Sequence, residues 1–139
     1  MNDYISYDNN DEFKKILEDV FTDEFMEEEK AKTLGVPIIC RIKAVATVGV
    51  PPELMGIGPI DASNKALAKA GLTIDDIDLF EINEAFAAQC IACQKTLGIP
   101  DDKLNVNGSG ISLGHPVGAT GSRLVITCMR NAEGAGSCR

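Results

Sequence analysis

The stretch Asn105-Val-Asn-Gly-Ser-Gly-Ile-Ser-Leu-Gly-His115-Pro-Val-Gly-Ala-Thr-Gly121 holds the only histidine of the chain. Pro116 disfavours helical geometry at His115 and suits the first position of a helix. The spacing therefore predicts His115 at the mouth of a helix running from 116 to about 130. The positive end of that helix disfavours protonated imidazole. A neutral imidazole there accepts a proton near neutral pH, the task of a general base. The plainer alternative is a structural histidine satisfied by its neighbours. Asn83 is the second candidate: it closes an apolar run and opens a helical pattern that ends at Gly98. It reads either as a helix N-cap alone or as a cap that also points its carboxamide at a ligand or water.

Gly108, Gly110 and Gly114 surround the histidine. They serve either unusual backbone angles or a loosened dinucleotide fingerprint, with a proline where the phosphate-binding helix should begin. The five cysteines are Cys40, Cys90, Cys93, Cys128 and Cys138. An odd number without an export signal predicts reduced thiols. With one histidine and no second Cys-x-x-Cys, no metal site is predicted. Cys90-Ile-Ala-Cys93 stands two turns into a helical pattern, where helix packing is a better reading than a redox pair.

The elements that must position these groups alternate. Residues 38–48 are rich in β-branched side chains and read as a strand. Residues 49–59 form a Gly/Pro loop, and residues 61–70 a helix ended by Gly71. Thr73-Ile-Asp-Asp76 resembles a capping box opening one short turn. Residues 77–82 read as a strand, 83–97 as a helix capped by Asn83, 104–106 as a third strand, and 116 to about 130 as a third helix. This order predicts a layered α/β domain with a mixed, partly parallel sheet. Ligand sites in such sheets lie beyond the carboxyl ends of strands, which groups Asn83 with His115 at one edge. The residues themselves stop at a neutral base and a carboxamide, and they specify no nucleophile.

The 139 residues are 45% hydrophobic and carry a net charge of −8, which fits one globular domain with a core of its own. No apolar run is long enough for a membrane span and the first residues lack a signal pattern, so a cytoplasmic location is expected. Without a basic stripe, nucleic-acid binding is not expected. Residues 1–34 carry 11 acids and 4 bases, so the acidic excess is concentrated there. Phe13, Ile16, Leu17, Val20, Phe21 and Phe25 recur at helical spacing within residues 11–32. That segment reads as an amphipathic helix packed on the body or on a partner, or else as a disordered or fused remnant. The expected division is an acidic extension over residues 1–26 and a domain over 27–139.

From about Glu27 to Arg130 the chain resembles the C-terminal half of the thiolase family of acyl-CoA acetyltransferases. The resemblance is carried by Met55-Gly-Ile-Gly-Pro59, by Asp78-Leu-Phe-Glu-Ile-Asn83-Glu84-Ala85-Phe86-Ala87, and by Asn105 to Gly108 continuing through Gly114-His115-Pro116 to Gly121-Ser-Arg123. It implies an α/β/α thiolase-like domain. It also implies that His115 activates a nucleophilic cysteine and helps bind the thioester oxygen, while Asn83 holds an oxyanion-hole water. Ala85 and Phe86 would line the pantetheine tunnel. The chemistry would be a reversible Claisen exchange through an acyl-cysteine, with coenzyme A thioesters such as acetoacetyl-CoA as substrates and no further cofactor.

Two blocks of the family pattern are not matched. The nucleophilic cysteine of the family belongs to an N-terminal domain that residues 1–25 do not resemble. The family's Cys-x-Gly-Gly-Gly block is also unmatched after Arg130, and its last strands are not expected here. Neither Cys128 nor Cys138 fits as a replacement. The chain is expected to be a half-site with no turnover of its own, partnered by acyl-CoA, by another copy of itself or by an N-terminal thiolase domain in trans. The alternative is a non-catalytic binding or assembly module.

Overall fold

The computed structural model describes residues 27–38 and 40–135. The amphipathic pattern before Glu27 lies outside them, as does Cys138. The chain forms two compact units that divide after Val45.

In the first unit, α1 spans Glu28–Leu34. Glu28 and Glu29 occupy its first turn and Lys32 its last, the arrangement that the helix dipole favours. Lys32 Nζ pairs with Glu28 at 2.9 Å and Glu29 at 2.8 Å, and Arg41 adds a 2.7 Å pair to Glu28. These partners hold the Glu28 carboxyl below its usual pKa, with the Lys32 hydrogen bond the largest cause. The strand expected over residues 38–48 is not formed among the described residues, and Ile38, Ile42 and Val45 are exposed. β-branched composition favours a strand only where another strand supplies the ladder, and no strand ladder forms among the described residues.

In the second unit, a 3₁₀ turn over Pro52–Ile57 runs directly into α2, Gly58–Ala70, which begins three residues earlier than its apolar pattern suggests. A shorter 3₁₀ turn, Ile74–Asp76, follows. It is closed by the expected capping box: Thr73 N donates to Asp76 Oδ2 at 2.8 Å and Thr73 Oγ1 lies 2.7 Å from the same oxygen. Next come α3 (Ala87–Leu97), a 3₁₀ turn (Asp101–Lys103), the one-turn α4 (Gly110–Leu113) and α5 (Thr120–Ala135). α2 and α3 end at Gly71 and Gly98, as the sequence predicts.

No strand forms among the described residues. The segments expected as strands at 77–82 and 104–106 meet in one parallel bridge, Phe80 with Leu104. A bridge becomes a strand only when its neighbours also pair, and a side chain takes over that pairing here, as described below.

The core of this unit is small. Cys90, Cys93 and Leu97 of α3 pack with Ile82 and Ile99, and Ile60, Ile74, Phe80 and Leu104 close over them. Cys93 is fully buried, and its thiol donates to the Gly56 carbonyl at 3.5 Å. Burial pushes the Cys90 thiol pKa up, and Glu84 and Cys93 add to the shift. A redox pair needs the opposite shift, so the two cysteines act as small core side chains. Among the described residues no helix is long and apolar enough to cross a membrane.

Candidate active site

Two loops build the site, residues 83–86 and residues 105–119. Their anchor is the parallel bridge, where Phe80 N donates to Lys103 O and Asn105 N to Phe80 O, each at 2.8 Å. One residue further on, the side chain of Asn105 replaces the ladder. Its Oδ1 accepts from Ile82 N at 2.8 Å and its Nδ2 donates to Ile82 O at 2.9 Å. Asn105 holds φ 47°, a left-handed angle that asparagine tolerates better than most residues. Ser109 is fully buried and donates its hydroxyl to the same Ile82 carbonyl at 2.9 Å.

Glu84 ties the loops together a second time. One carboxylate oxygen accepts from Asn105 Nδ2 at 3.2 Å and the other from Ile111 N at 3.1 Å. Ile111 lies in the first turn of α4, where backbone N–H groups have no partner within the helix. The carboxylate therefore occupies the amide that a bound phosphate would use, and α4 is a single turn. This arrangement does not suit the dinucleotide alternative.

Gly108 and Gly114 have φ of 85° and 90°, as expected of glycines at tight turns. Gly110 has a different reason. A Cβ there would stand 2.8 Å from Asn83 Oδ1 and 2.9 Å from the Glu84 carbonyl oxygen. Its missing side chain is the space that lets the loops touch.

Across this junction Asn83 Nδ2 lies 3.3 Å from His115 Nε2, joining residues 32 apart in sequence. Two positional expectations are corrected here. Asn83 is not a helix cap, because α3 begins only at Ala87, with Phe86 at the cap position and no side-chain cap. The carboxamide turns to the histidine instead, and its Oδ1 is buried without a hydrogen bond among the described residues. His115 also does not stand at a helix mouth. Pro116 opens a turn in which Ala119 N and Thr120 N both donate to Pro116 O, at 2.8 and 2.9 Å, and α5 starts at Thr120. A helix dipole acts mainly within its first turn. The link from His115 to the helix is instead a hydrogen bond, with Nδ1 lying 2.7 Å from Thr120 Oγ1. Thr120 is only 3% exposed, and its hydroxyl donates to Pro116 O at 3.0 Å.

Ala85 and Phe86 follow Asn83 on the open surface, Phe86 with 66% of its area exposed. Nearby in sequence, burial raises the Glu81 carboxyl pKa; Arg123 offsets part of the shift and Glu84 adds to it. Among the described residues no cluster of histidine, cysteine and carboxylates could hold a metal ion.

Sequence reasoning found Asn83 and His115 but not the residues that fix them: Glu84, Asn105, Ser109 and Thr120. Glu84 and Asn105 stand inside the motifs, yet their partners are 21 and more residues away. Thr120 offered a local signal, a hydroxyl five residues after a histidine, within reach across one turn.

Residues 36–137 match the family model "Thiolase, C-terminal domain". A 3-ketoacyl-CoA thiolase of Aliivibrio fischeri is 50% identical over 115 residues, covering 81% of this chain and 30% of that protein. The peroxisomal 3-ketoacyl-CoA thiolase B of Rattus norvegicus is 53% identical over 107 residues, covering 77% of this chain and 25% of that protein. A crystal structure of the Bacillus anthracis acetyl-CoA acetyltransferase superposes with a TM-score of 0.78 at 46% identity, covering 81% of this chain and 28% of that one. The 139 residues thus span less than a third of the length of these relatives. The matches run through both loops of the site, and the chain belongs to the thiolase family through its C-terminal domain.

Proposed function

We propose that this chain supplies the base and the oxyanion-binding half of a thiolase-type acyltransferase site. The observation that carries the reading is the 3.3 Å contact between Asn83 and His115, made across two loops built to hold it. In this reading His115 Nε2 removes the proton from a cysteine thiol. The thiolate attacks the 3-oxo carbonyl carbon of a 3-oxoacyl-CoA, and the bond from that carbon to the α-carbon breaks to leave an acyl-cysteine and the enolate of acetyl-CoA, which is protonated to acetyl-CoA. Coenzyme A then takes the acyl group. Run backward, two acetyl-CoA give acetoacetyl-CoA and CoA. Protonated His115 and a water held by Asn83 face the thioester oxygen and stabilise its developing charge. Ala85 and Phe86 line the path of the pantetheine arm.

In this reading the nucleophile is none of the core or α5 cysteines. Cys90 and Cys93 are committed to the core and Cys128 lies within α5. The cysteine would come from an N-terminal thiolase domain. Exposed Met55, Ile111, Leu113 and Val117 offer apolar surface for that domain or for another copy of the chain. We place residues 27–139 in the domain, residues 1–26 in an acidic extension, and the whole in the cytoplasm.

A chimera tests the reading. Residues 46–130 replace the matching segment of the Bacillus anthracis acetyl-CoA acetyltransferase, and thiolysis of acetoacetyl-CoA is followed. The chimera is expected to turn over. His115→Ala should lower kcat/KM about 10²–10⁴-fold, and Asn83→Ala about 10²–10³-fold. An active chimera indifferent to both substitutions would remove His115 and Asn83 from the mechanism. The chain alone is expected to be inactive. Turnover by it would place the nucleophile among its own five cysteines.

A further inference from the structure

We propose that Thr120 is a positioning residue that holds His115 in the Nδ1–H tautomer and so keeps Nε2 free to accept a proton. The Thr120 hydroxyl has one hydrogen, and Oγ1 lies 3.0 Å from Pro116 O and 2.7 Å from His115 Nδ1. Pro116 O can only accept, so that short contact is favourable only if the hydroxyl hydrogen lies in it. Thr120 Oγ1 is then an acceptor toward the ring, and Nδ1 must carry the hydrogen.

The other side of the ring is compatible with this tautomer. Asn83 presents its amide nitrogen, a donor, to Nε2 at 3.3 Å. A neutral ring protonated at Nδ1 meets that donor with a lone pair. The opposite tautomer would place two oxygens 3.0 Å apart with no hydrogen between them and set N–H against N–H at Asn83. Free histidine prefers the opposite tautomer, so the surroundings must impose this one. Thr120 can do so because its own position is settled: it is buried, and it sits in the turn where Pro116 O collects backbone hydrogen bonds from Ala119 and Thr120.

The arrangement also accommodates the second protonation state. When Nε2 gains a proton, it faces the Asn83 amide donor to donor. A half-turn of the carboxamide presents Oδ1 instead, an atom that makes no hydrogen bond among the described residues. Thr120 Oγ1 continues to accept from Nδ1–H throughout. The use of that lone pair in acyl transfer rests on the proposed function, whereas the tautomer does not.

The test exploits the single histidine. Long-range ¹H–¹⁵N spectra of the uniformly ¹⁵N-labelled chain, titrated to alkaline pH, report which ring nitrogen carries hydrogen. The wild type should show a pyrrole-like Nδ1 and a pyridine-like Nε2. Thr120→Ser, which keeps the hydroxyl, should retain that pattern, and Thr120→Val should shift it toward Nε2–H. A wild-type ring protonated at Nε2 would overturn the proposal, as would a Thr120→Val spectrum identical to the wild type or a Thr120→Ser spectrum that shifts. Should Thr120→Val fail to fold, the wild-type and Thr120→Ser spectra still decide it. The readout needs no turnover, so its failure is distinguishable from failure of the acyltransferase reading.

Discussion

At the scale of residues, Glu81 and Arg123 attract one another beside the site without sharing a hydrogen bond. Glu81 Oε2 and the three guanidinium nitrogens of Arg123 are buried without hydrogen bonds among the described residues. Burial outweighs the attraction of Arg123 and raises the Glu81 pKa. A carboxyl with a raised folded-state pKa binds its proton more tightly when folded. Its contribution is therefore complete below the ordinary carboxylate pKa and is lost as pH rises through the raised folded value. Glu81→Gln should leave thermal stability nearly unchanged at acidic pH. The variant should melt increasingly above the wild type as pH rises through that window, with the difference levelling near neutrality. Paired melting curves across pH check this, and a difference that shrinks with rising pH would mean that Arg123 dominates. Asn83 and His115 were visible as candidates because chemistry-bearing residues at the ends of apolar runs stand out. The Asn83 cap was misread because carboxamides cap helices and contact imidazoles with the same atoms. Thr120 escaped because a hydroxyl becomes a positioning group only through its partners.

At the scale of elements, the junction between the two loops depends on Asn105 more than on any ladder. Its side chain makes both hydrogen bonds to Ile82 and one to Glu84. Asn105→Ala should remove all three and leave alanine at φ 47°. At about 1 kcal/mol per hydrogen bond, plus about 1 kcal/mol for the left-handed angle, the loss is ~3–4 kcal/mol. Asn105→Gly should lose less, because it removes the bonds without the strain. Denaturant unfolding of the two variants separates the terms, and equal losses would show that the angle contributes nothing. The helices were legible from periodicity, and their glycine terminators fell where expected. The strands were not: residues 38–48 have the right composition, but pairing is a property of two segments. Residues 80 and 104 pair once, after which a side chain takes over. α5 was expected to begin at Pro116. It begins at Thr120, after the turn in which Ala119 N and Thr120 N donate to Pro116 O.

At the scale of the whole molecule, chemical reactivity should divide the cysteines by burial. Cys40 is exposed, whereas Cys90 and Cys93 are buried, and the Cys90 thiol is held further in its neutral form. The thiolate is the reactive species. Alkylation of the native chain at neutral pH, mapped by mass, should label Cys40 promptly and spare Cys90 and Cys93 until denaturant is added. Prompt labelling of Cys90 and Cys93 would show that the core opens readily. That core is small, and large apolar side chains such as Phe86, Leu113 and Val117 remain on the loops of the site. Such residues are spared burial here and are available to whatever completes the site.

Gly110 gives the site an unusual mutational profile. Every coded replacement of glycine adds a Cβ, and here that atom would collide with Asn83 Oδ1 and with the Glu84 backbone. The smallest substitution, to alanine, already pushes the two loops apart. A library of variants at position 110 should therefore separate into glycine and everything else, with side-chain size beyond the first carbon mattering little.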